Sequence, residues 1–537
     1  GGGWFGGGGG AACQGTWGPG GGGGGGSNGA AAPARNVSSS TSSAGSSVSL
    51  SWGASSAEAK QRSWFASFGR SAPANIQAGD PIDTATGSLY AGFDDLSATA
   101  GLAGLGVSRS YNSRDTASGS MGVGWVAPFG ATVEDRTSFV DVRLPDGRGV
   151  RFALNASGTG YDRPQELDAS LSRDGDDSFR LVFNGGEIWE FDPSGRLERT
   201  TDTSGVAATV VRNTAGLVAS VSSSAGGASL TFTYTGGLLT LVAASDGRQV
   251  SYGYTAGRLT SFVDAAGKTW SYGYDGSGWL SQVTDPSGVV TMSSTYDPFG
   301  RVVSQTTPEG GTETYAYDAA SRTTTQTVVA SGELVRYVHD DLGRVTGIVD
   351  PNNKISARQV GALGYWDQST TRTGVETSSV RDGRANVTSI TDPATGTATA
   401  TYDSSDRVLT RTDPGSGTTT FSYTGSGASE VPSSSTDAAG KTTTRVITDG
   451  LVMSETDPDG VTTSYTYTPA RQVATVTVGG AVTALEYWPQ GWLKEVTTPE
   501  LRVTAYTYDG EGRPLTVTAS DGGVSTTTYD GAGRVLT

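Results

Sequence analysis

A tyrosine–aspartate pair recurs through the C-terminal half of this chain. It appears as Tyr274-Asp275, Tyr296-Asp297, Tyr317-Asp318, Tyr402-Asp403, Tyr508-Asp509 and Tyr529-Asp530, with Tyr254 opening the series. Tyr254, Tyr274, Tyr296 and Tyr317 are spaced by 20, 22 and 21 residues. A fixed period of that length specifies a repeat array, whose small units bury their apolar faces only against their neighbours. Most units continue with two residues and then Gly, Arg and an aliphatic. Gly300-Arg301, Gly343-Arg344, Gly512-Arg513 and Gly533-Arg534 fill those places, and Arg407 does so after Tyr402-Asp403.

Each unit reads as a β-hairpin. In Asp297-Pro298-Phe299-Gly300 the proline presets φ, the glycine permits φ > 0 and the aspartate can accept turn N–H groups. Asp285-Pro286-Ser287-Gly288 and Asp457-Pro458-Asp459-Gly460 repeat the recipe. A unit therefore has two turns, joined by strands of about seven residues, or roughly 23 Å. Strands that enter the Tyr-Asp turn alternate. Tyr272 and Tyr274, Tyr315 and Tyr317, Phe421 and Tyr423, Tyr465 and Tyr467, and Tyr506 and Tyr508 share one face, with Thr, Ser, Ala or Gly between them. Outgoing strands such as Arg301–Thr306 carry only a couple of aliphatics, too little to fill a two-sheet sandwich. An all-β chain with one long, curled antiparallel sheet fits this composition.

Among its 537 residues 17% are charged, and the net charge is −16. An acidic chain is a poor partner for nucleic acid, which needs clustered Lys and Arg. Cys13 is the only cysteine, so no disulfide can form within the chain. No apolar run is long enough for a membrane-spanning helix. The chain begins at Gly1 and breaks off at Thr537, a few residues into a new unit. It reads as a fragment, and its last strand edge is expected to fray or aggregate.

The upstream residues divide by composition. Residues 1–30 contain 18 glycines with Trp4, Phe5 and Trp17 among them, and read as a disordered Gly-rich segment. Residues 31–75 read as a Ser/Ala-rich linker, with a short helix over Glu58–Arg70 that Pro73 stops. Residues 76–178 form a small β-rich domain, with strands at Val107–Tyr111, Thr132–Glu134, Phe139–Leu144 and Gly149–Leu154 and a hairpin turn at Pro145-Asp146-Gly147. The array occupies 179–537, its first hairpin turning at Asn184-Gly185-Gly186.

The Tyr-Asp-x-x-Gly-Arg units resemble the YD-repeat, or Rhs, family, which includes Rhs polymorphic-toxin shells and the YD shell of teneurins. Residues Gly79–Gly87, Arg109–Arg114 and Gly122–Trp125 resemble successive landmarks of the N-terminal domain that precedes the repeats in Rhs proteins. The resemblance implies a spiral of hairpins wound into a hollow shell around a C-terminal toxin domain, which is absent from this chain, as is any self-cleavage segment. It also implies a secreted or cell-surface bacterial protein. Departures fall at Thr255, Trp279, Ser321 and the degenerate stretch 350–400, where Val380 stands in the tyrosine place.

Reactive chemistry finds few residues. His339 is the only histidine and reads as an exposed turn residue. Zinc lacks ligands, and the acidic turns Asp174–Asp177, Asp340-Asp341 and Asp457–Asp459 lack calcium-loop spacing. No catalytic, cofactor or metal residues are assigned. The expected function is a non-catalytic shell around a toxin cargo. The runner-up is an adhesion or carbohydrate-binding surface protein, whose partners would be cell-surface glycans or proteins. A third reading is an enzyme acting through the N-terminal β domain.

Overall fold

The computed structural model describes residues 36–42, 45–51, 77–78 and 82–537, apart from residues 97, 100–104, 137, 146–148, 165–166, 185, 308–309 and 425–430. The Gly-rich segment 1–30, the helix expected over 58–70, and the turn residues Asp146, Gly147 and Gly185 lie outside the described residues. Within the segment expected to be a linker, Asn36–Ser42 pairs antiparallel with Gly45–Ser51.

Every regular element described is a β-strand. One sheet dominates: 35 strands from Ala169–Arg173 to Val524–Thr526, each hydrogen-bonded to the next in chain order. It begins one strand earlier than the sequence reading placed it. The degenerate stretch 350–400 continues it without a break, as Ile355–Val360, Trp366–Thr370, Glu376–Arg381, Val387–Asp392 and Gly396–Tyr402.

Cross-strand pairing keeps one face continuous. Phe232 pairs with Val242, Tyr252 with Phe262, Phe262 with Trp270, and Tyr272 with Val283. Far along the sheet Tyr465 pairs with Val476, Leu485 with Val496 and Tyr506 with Val517 on the same face. The opposite face is threonine and serine, with Thr401 on Thr410, Thr412 on Thr418, and Thr436 on Thr442.

The sheet returns on itself. The backbone N–H of Ala265 donates to Glu511 Oε1 at 2.8 Å, and Gln490 Nε2 donates to the carbonyl of Asp246 at 3.1 Å. Arg534 lies 3.7 Å from Asp285, and a Cβ on Gly226 would sit 3.4 Å from Ala470. Among the described residues, 23 strands separate Ser204 from Gly450, and 23 separate Ser287 from Gly531, which approach each other in the same way. An odd number of strands carries the chain from one rim of the ribbon to the other. Stacking therefore sets the Tyr-Asp rim of the second turn of the spiral against the opposite rim of the first.

Residues 82–154 lie on the aromatic face of the first turn. Ile82, Leu89, Val107, Tyr111, Met121 and Trp125 form one core with sheet residues running from Val210 to Tyr337. The strands Thr132–Asp135, Phe139–Arg143 and Gly149–Ala153 form a second core with Leu171, Leu181 and Trp189. Contacts from Leu239, which donates to the carbonyl of Ser120, to His339 against Thr84 span ten successive strands. So small a domain reaches that far round a closed curve only from its concave side, which places the aromatic face inside. Exposure agrees: Thr419, Thr443 and Thr463 on that face are half-buried, while Thr418, Thr420, Thr442, Thr444 and Thr462 on the other are exposed.

Candidate functional site

The repeat motif makes the wall, and each of its letters has a contact. The tyrosine ties its hairpin to the preceding one. Its hydroxyl donates to the carbonyl of the aliphatic residue that closes the previous unit: Tyr274 to Leu259 at 2.7 Å, Tyr317 to Val302 at 2.6 Å and Tyr402 to Val387 at 2.8 Å. Tyr296 to Leu280 and Tyr529 to Pro514 follow suit. Burial pushes the Tyr274 and Tyr402 phenols up to about 12.

The aspartate closes the turn. Asp297 Oδ1 accepts the N–H groups of Phe299 at 2.9 Å and Arg301 at 3.0 Å, while Oδ2 takes Arg301 Nε at 2.7 Å. Asp403 with Arg407, Asp509 with Arg513 and Asp530 with Arg534 repeat this geometry, as Asp340 does with Arg344. Asp275 uses Oδ1 on Ser277 and Trp279, and Asp318 on Ala320 and Ser321. Burial opposes the charge on Asp297, Asp340 and Asp403, yet the turn N–H groups and the arginine hold all three below the usual carboxylate range. Gly300, Gly343, Gly512 and Gly533 have φ near +80°, the conformation this turn demands before the arginine.

The arginine reaches forward. Arg301 stacks over Tyr317 with its guanidinium carbon 4.9 Å from the ring centre, Arg407 over Tyr423 at 4.6 Å and Arg513 over Tyr529 at 5.2 Å. Tyrosine thus looks back one unit and arginine forward one. The Trp279 departure keeps this link, since its ring lies 5.5 Å from that of Tyr296, and Trp492 does the same to Tyr508.

Several readings need correction. His339 is buried, not exposed. It occupies the tyrosine place opposite Val345, with Nε2 3.0 Å from Thr84 Oγ1 and Nδ1 3.1 Å from the carbonyl of Arg322. Burial lowers its pKa. The tyrosine place near 380 belongs to Arg381, opposite Val387, while Val380 is exposed. Asp382 then accepts from Arg384 and Asn386, Ala385 takes the positive φ, and Asn386 stands for arginine. Without the glycine expected at Ser321, the positive φ moves to Arg322.

The contacts of Arg109 and its neighbours were not read from the sequence. Arg109 is fully buried, with Nε 2.7 Å from Asp95 Oδ2 and Nη2 2.5 Å from the Tyr272 hydroxyl. Phe93, Trp125, Phe262 and Tyr272 surround its guanidinium at 4.6–4.9 Å. Tyr252 donates to Asp95 at 2.8 Å. Burial raises the Asp95 carboxyl, opposed by Arg109 and the Tyr252 bond. Tyr111, Ser113 and Trp125 extend the clasp along the rim to Leu280, Gly300 and Tyr274. Asp95 lies only 14 residues from Arg109 in sequence, but Tyr272, which completes the cluster from the sheet, lies 163 residues away.

Among the described residues no three His, Cys, Asp or Glu side chains gather as a metal site. No described helix is long and apolar enough to cross a membrane, which says nothing of strands.

Three family models match the chain. Residues 79–152 match a domain of unknown function (DUF6531). Residues 254–290, 448–483 and 487–524 match the RHS Repeat, and residues 287–455 match the Teneurin YD-shell. No curated protein matches. Similar solved structures include the Tc holotoxin pore of Photorhabdus luminescens, 13% identical over 81% of this chain and 27% of that one, with a TM-score of 0.44. Another is TcdB2-TccC3, 13% identical over 81% of this chain and 32% of that one, with a TM-score of 0.30. The chain spans about a third or less of the length of those structures. From residue 254 to 524, apart from 484–486, the array that encloses the aromatic face matches the RHS Repeat and Teneurin YD-shell models.

Proposed function

We propose that the chain is the wall of a non-catalytic shell that houses a toxin domain of a secreted or cell-surface bacterial protein, with residues 82–154 as its Rhs-type N-terminal domain. The observation that carries this reading is the closed spiral: a ribbon whose rims meet after 23 strands and whose aromatic face turns inward. The motif tyrosine and arginine tie one hairpin to the next, and the aspartate and glycine shape the turn between them, which suits a container. The RHS Repeat and Teneurin YD-shell matches support it.

The dimensions constrain the cargo. With 23 strands per turn at about 4.8 Å spacing, the wall is roughly 35 Å across if the strands run along the axis. A folded domain of about 100 residues has a radius of gyration of about 13 Å and is nearly that wide before inward side chains are counted. A folded cargo of that size would fill the full width of the wall. The coding sequence that follows Thr537 tests the assignment. More repeats, an aspartate-rich cleavage segment and a variable terminal domain are expected. A stop codon directly after Thr537 contradicts it.

A further inference from the structure

At one end of the N-terminal domain a short loop grips the rim of the first turn, and the only histidine of the chain lies beneath it. Loop 83–89 is closed on itself. The Gly87 N–H donates to the Asp83 carbonyl at 2.8 Å, and Asp83 Oδ1 accepts the N–H groups of Ala85 at 2.9 Å and Thr86 at 2.8 Å. The loop meets three strands of the sheet. The Val302 N–H donates to the Gly87 carbonyl at 2.9 Å, the Thr324 hydroxyl donates to the Thr84 carbonyl, and the Thr84 hydroxyl lies 3.0 Å from His339 Nε2. Thr84 is wholly buried and His339 is 7% exposed, so the imidazole has little contact with water. Most units carry a tyrosine at this place, and a phenol does not titrate in acid.

The partners fix the tautomer. The Arg322 carbonyl, 3.1 Å from Nδ1, can only accept, so Nδ1 carries the proton and bare Nε2 accepts from the Thr84 hydroxyl. A second proton, on Nε2, takes that acceptor away and makes the Thr84 hydroxyl turn its hydrogen elsewhere. It also places a charge where burial disfavours one. Asp83 on the loop and Asp340 beside His339 attract that charge, but Asp83 Oδ1 is engaged by the loop N–H groups and Asp340 is paired with Arg344. Arg322, on the neighbouring hairpin, has the same sign as an imidazolium. Tyr317, beneath Gly87, is kept neutral by burial. Burial outweighs both carboxylates and lowers the His339 pKa. A base lowered in this way holds its contact above the ordinary histidine value and loses it as pH falls through that value. We propose that His339 is the pin of an acid-sensitive latch, which holds loop 83–89 on the first turn while the imidazole is neutral and lets it go when the imidazole takes up a proton. The Arg109 clasp contains no histidine, so mild acid frees one end of the N-terminal domain and leaves the other fastened. The latch belongs to a single unit of the array and titrates above the range of the turn aspartates.

Two measurements on the full chain test it. With one histidine present, NMR of histidine-labelled protein gives a single imidazole titration, expected to fall below the ordinary value of about 6.5. Amide exchange by mass spectrometry, corrected for the intrinsic effect of pH, reads the loop. Between about pH 7.5 and about pH 5.5 the open loop should become about tenfold more populated if the closed imidazole stays neutral. The gain should fall on 83–89 and spare 107–112. His339→Gln, which cannot titrate, should remove the pH response, whatever its effect on the loop at neutral pH. The titration and the exchange of the unaltered chain need no variant to fold. The proposal is overturned if the imidazole titrates at or above the ordinary value, if protection of 83–89 is the same at both pH values, or if His339→Gln keeps the response.

Discussion

The two turns of the spiral present the same rim and cover it differently. Along the first turn, the Tyr-Asp turns face residues 82–126, with Trp125 on Tyr274, Tyr111 on Leu280, Ser113 on Gly300 and Thr84 on His339. Along the second, equivalent turns rest on the opposite rim of the first: Glu511 on Ala265, Gln490 on Asp246 and Arg534 toward Asp285. The inner faces differ too. Sheet residues from Val210 to Tyr337 share a core with the N-terminal domain, whereas among the described residues of the second turn Val476, Leu485 and Leu493 form a small buried cluster. A repeat supplies a standard edge, and what covers it depends on where the spiral has reached. The N-terminal domain stands in for the preceding turn that the first turn lacks.

The largest effect should come from breaking the first cover alone. Arg109→Leu leaves Asp95 buried without its partner, a loss of about 3–5 kcal/mol. Limited proteolysis should then release the N-terminal domain while fragments from residues 350–537 stay intact. Equal loss of both would show that the two covers are not independent. Breaking the second cover should cost less. A Cβ on Gly510 would overlap the carbonyl oxygen of Ala265, so Gly510→Val should cost about 1–3 kcal/mol. Amide exchange should rise at 264–268 and 509–513 and remain unchanged near Trp125.

Acid and alkali should act on both turns alike. Asp297, Asp340 and Asp403 have lowered pKa values, so their stabilisation is present above about pH 4 and fades as pH falls below it. The tyrosines have raised values, so theirs is present below about pH 10 and is lost as pH rises through about 12. Glu511 in the seam is raised by burial and by Asp264, the opposite sign to the turn aspartates. As pH falls, protonation of Glu511 should therefore tighten the second cover before stronger acid loosens the turns. Thermal midpoints measured from pH 3 to 11 check the order.

The smallest difference separates two hydroxyls. Tyr296→Phe orphans a carbonyl in a well-packed site and should cost about 1–3 kcal/mol, whereas Tyr467→Phe, on the open second turn, should cost about 1 kcal/mol. Chemical denaturation of the two variants distinguishes them. Equal losses would mean that the first cover adds nothing to the tie.

The sequence reading reached the hairpin, the period and the single sheet because each is local. Asp297, Pro298 and Gly300 sit within one turn, and Tyr272 and Tyr274 within one strand. It missed what depends on curvature. Nothing near Glu511 names Ala265 as its partner, since the separation is fixed by how many strands close one turn. His339 looked exposed because turn chemistry surrounds it, and Thr84, which buries it, lies 255 residues away. Arg381 was passed over because Gly383-Arg384 imitates the motif two residues early, while the structural places of glycine and arginine fall to Ala385 and Asn386.

Closure of the spiral is tested most directly by a cross-link between its turns. An added Cβ on Gly531 would lie 2.9 Å from Ser287 Oγ, a spacing that suits a disulfide. In a Cys13→Ser background, Ser287→Cys with Gly531→Cys should oxidise within one chain, giving a fast-migrating monomer on non-reducing gels and a linked peptide by mass spectrometry. Free thiols after oxidation, or links only between chains, would show that the ribbon does not return to meet its own rim.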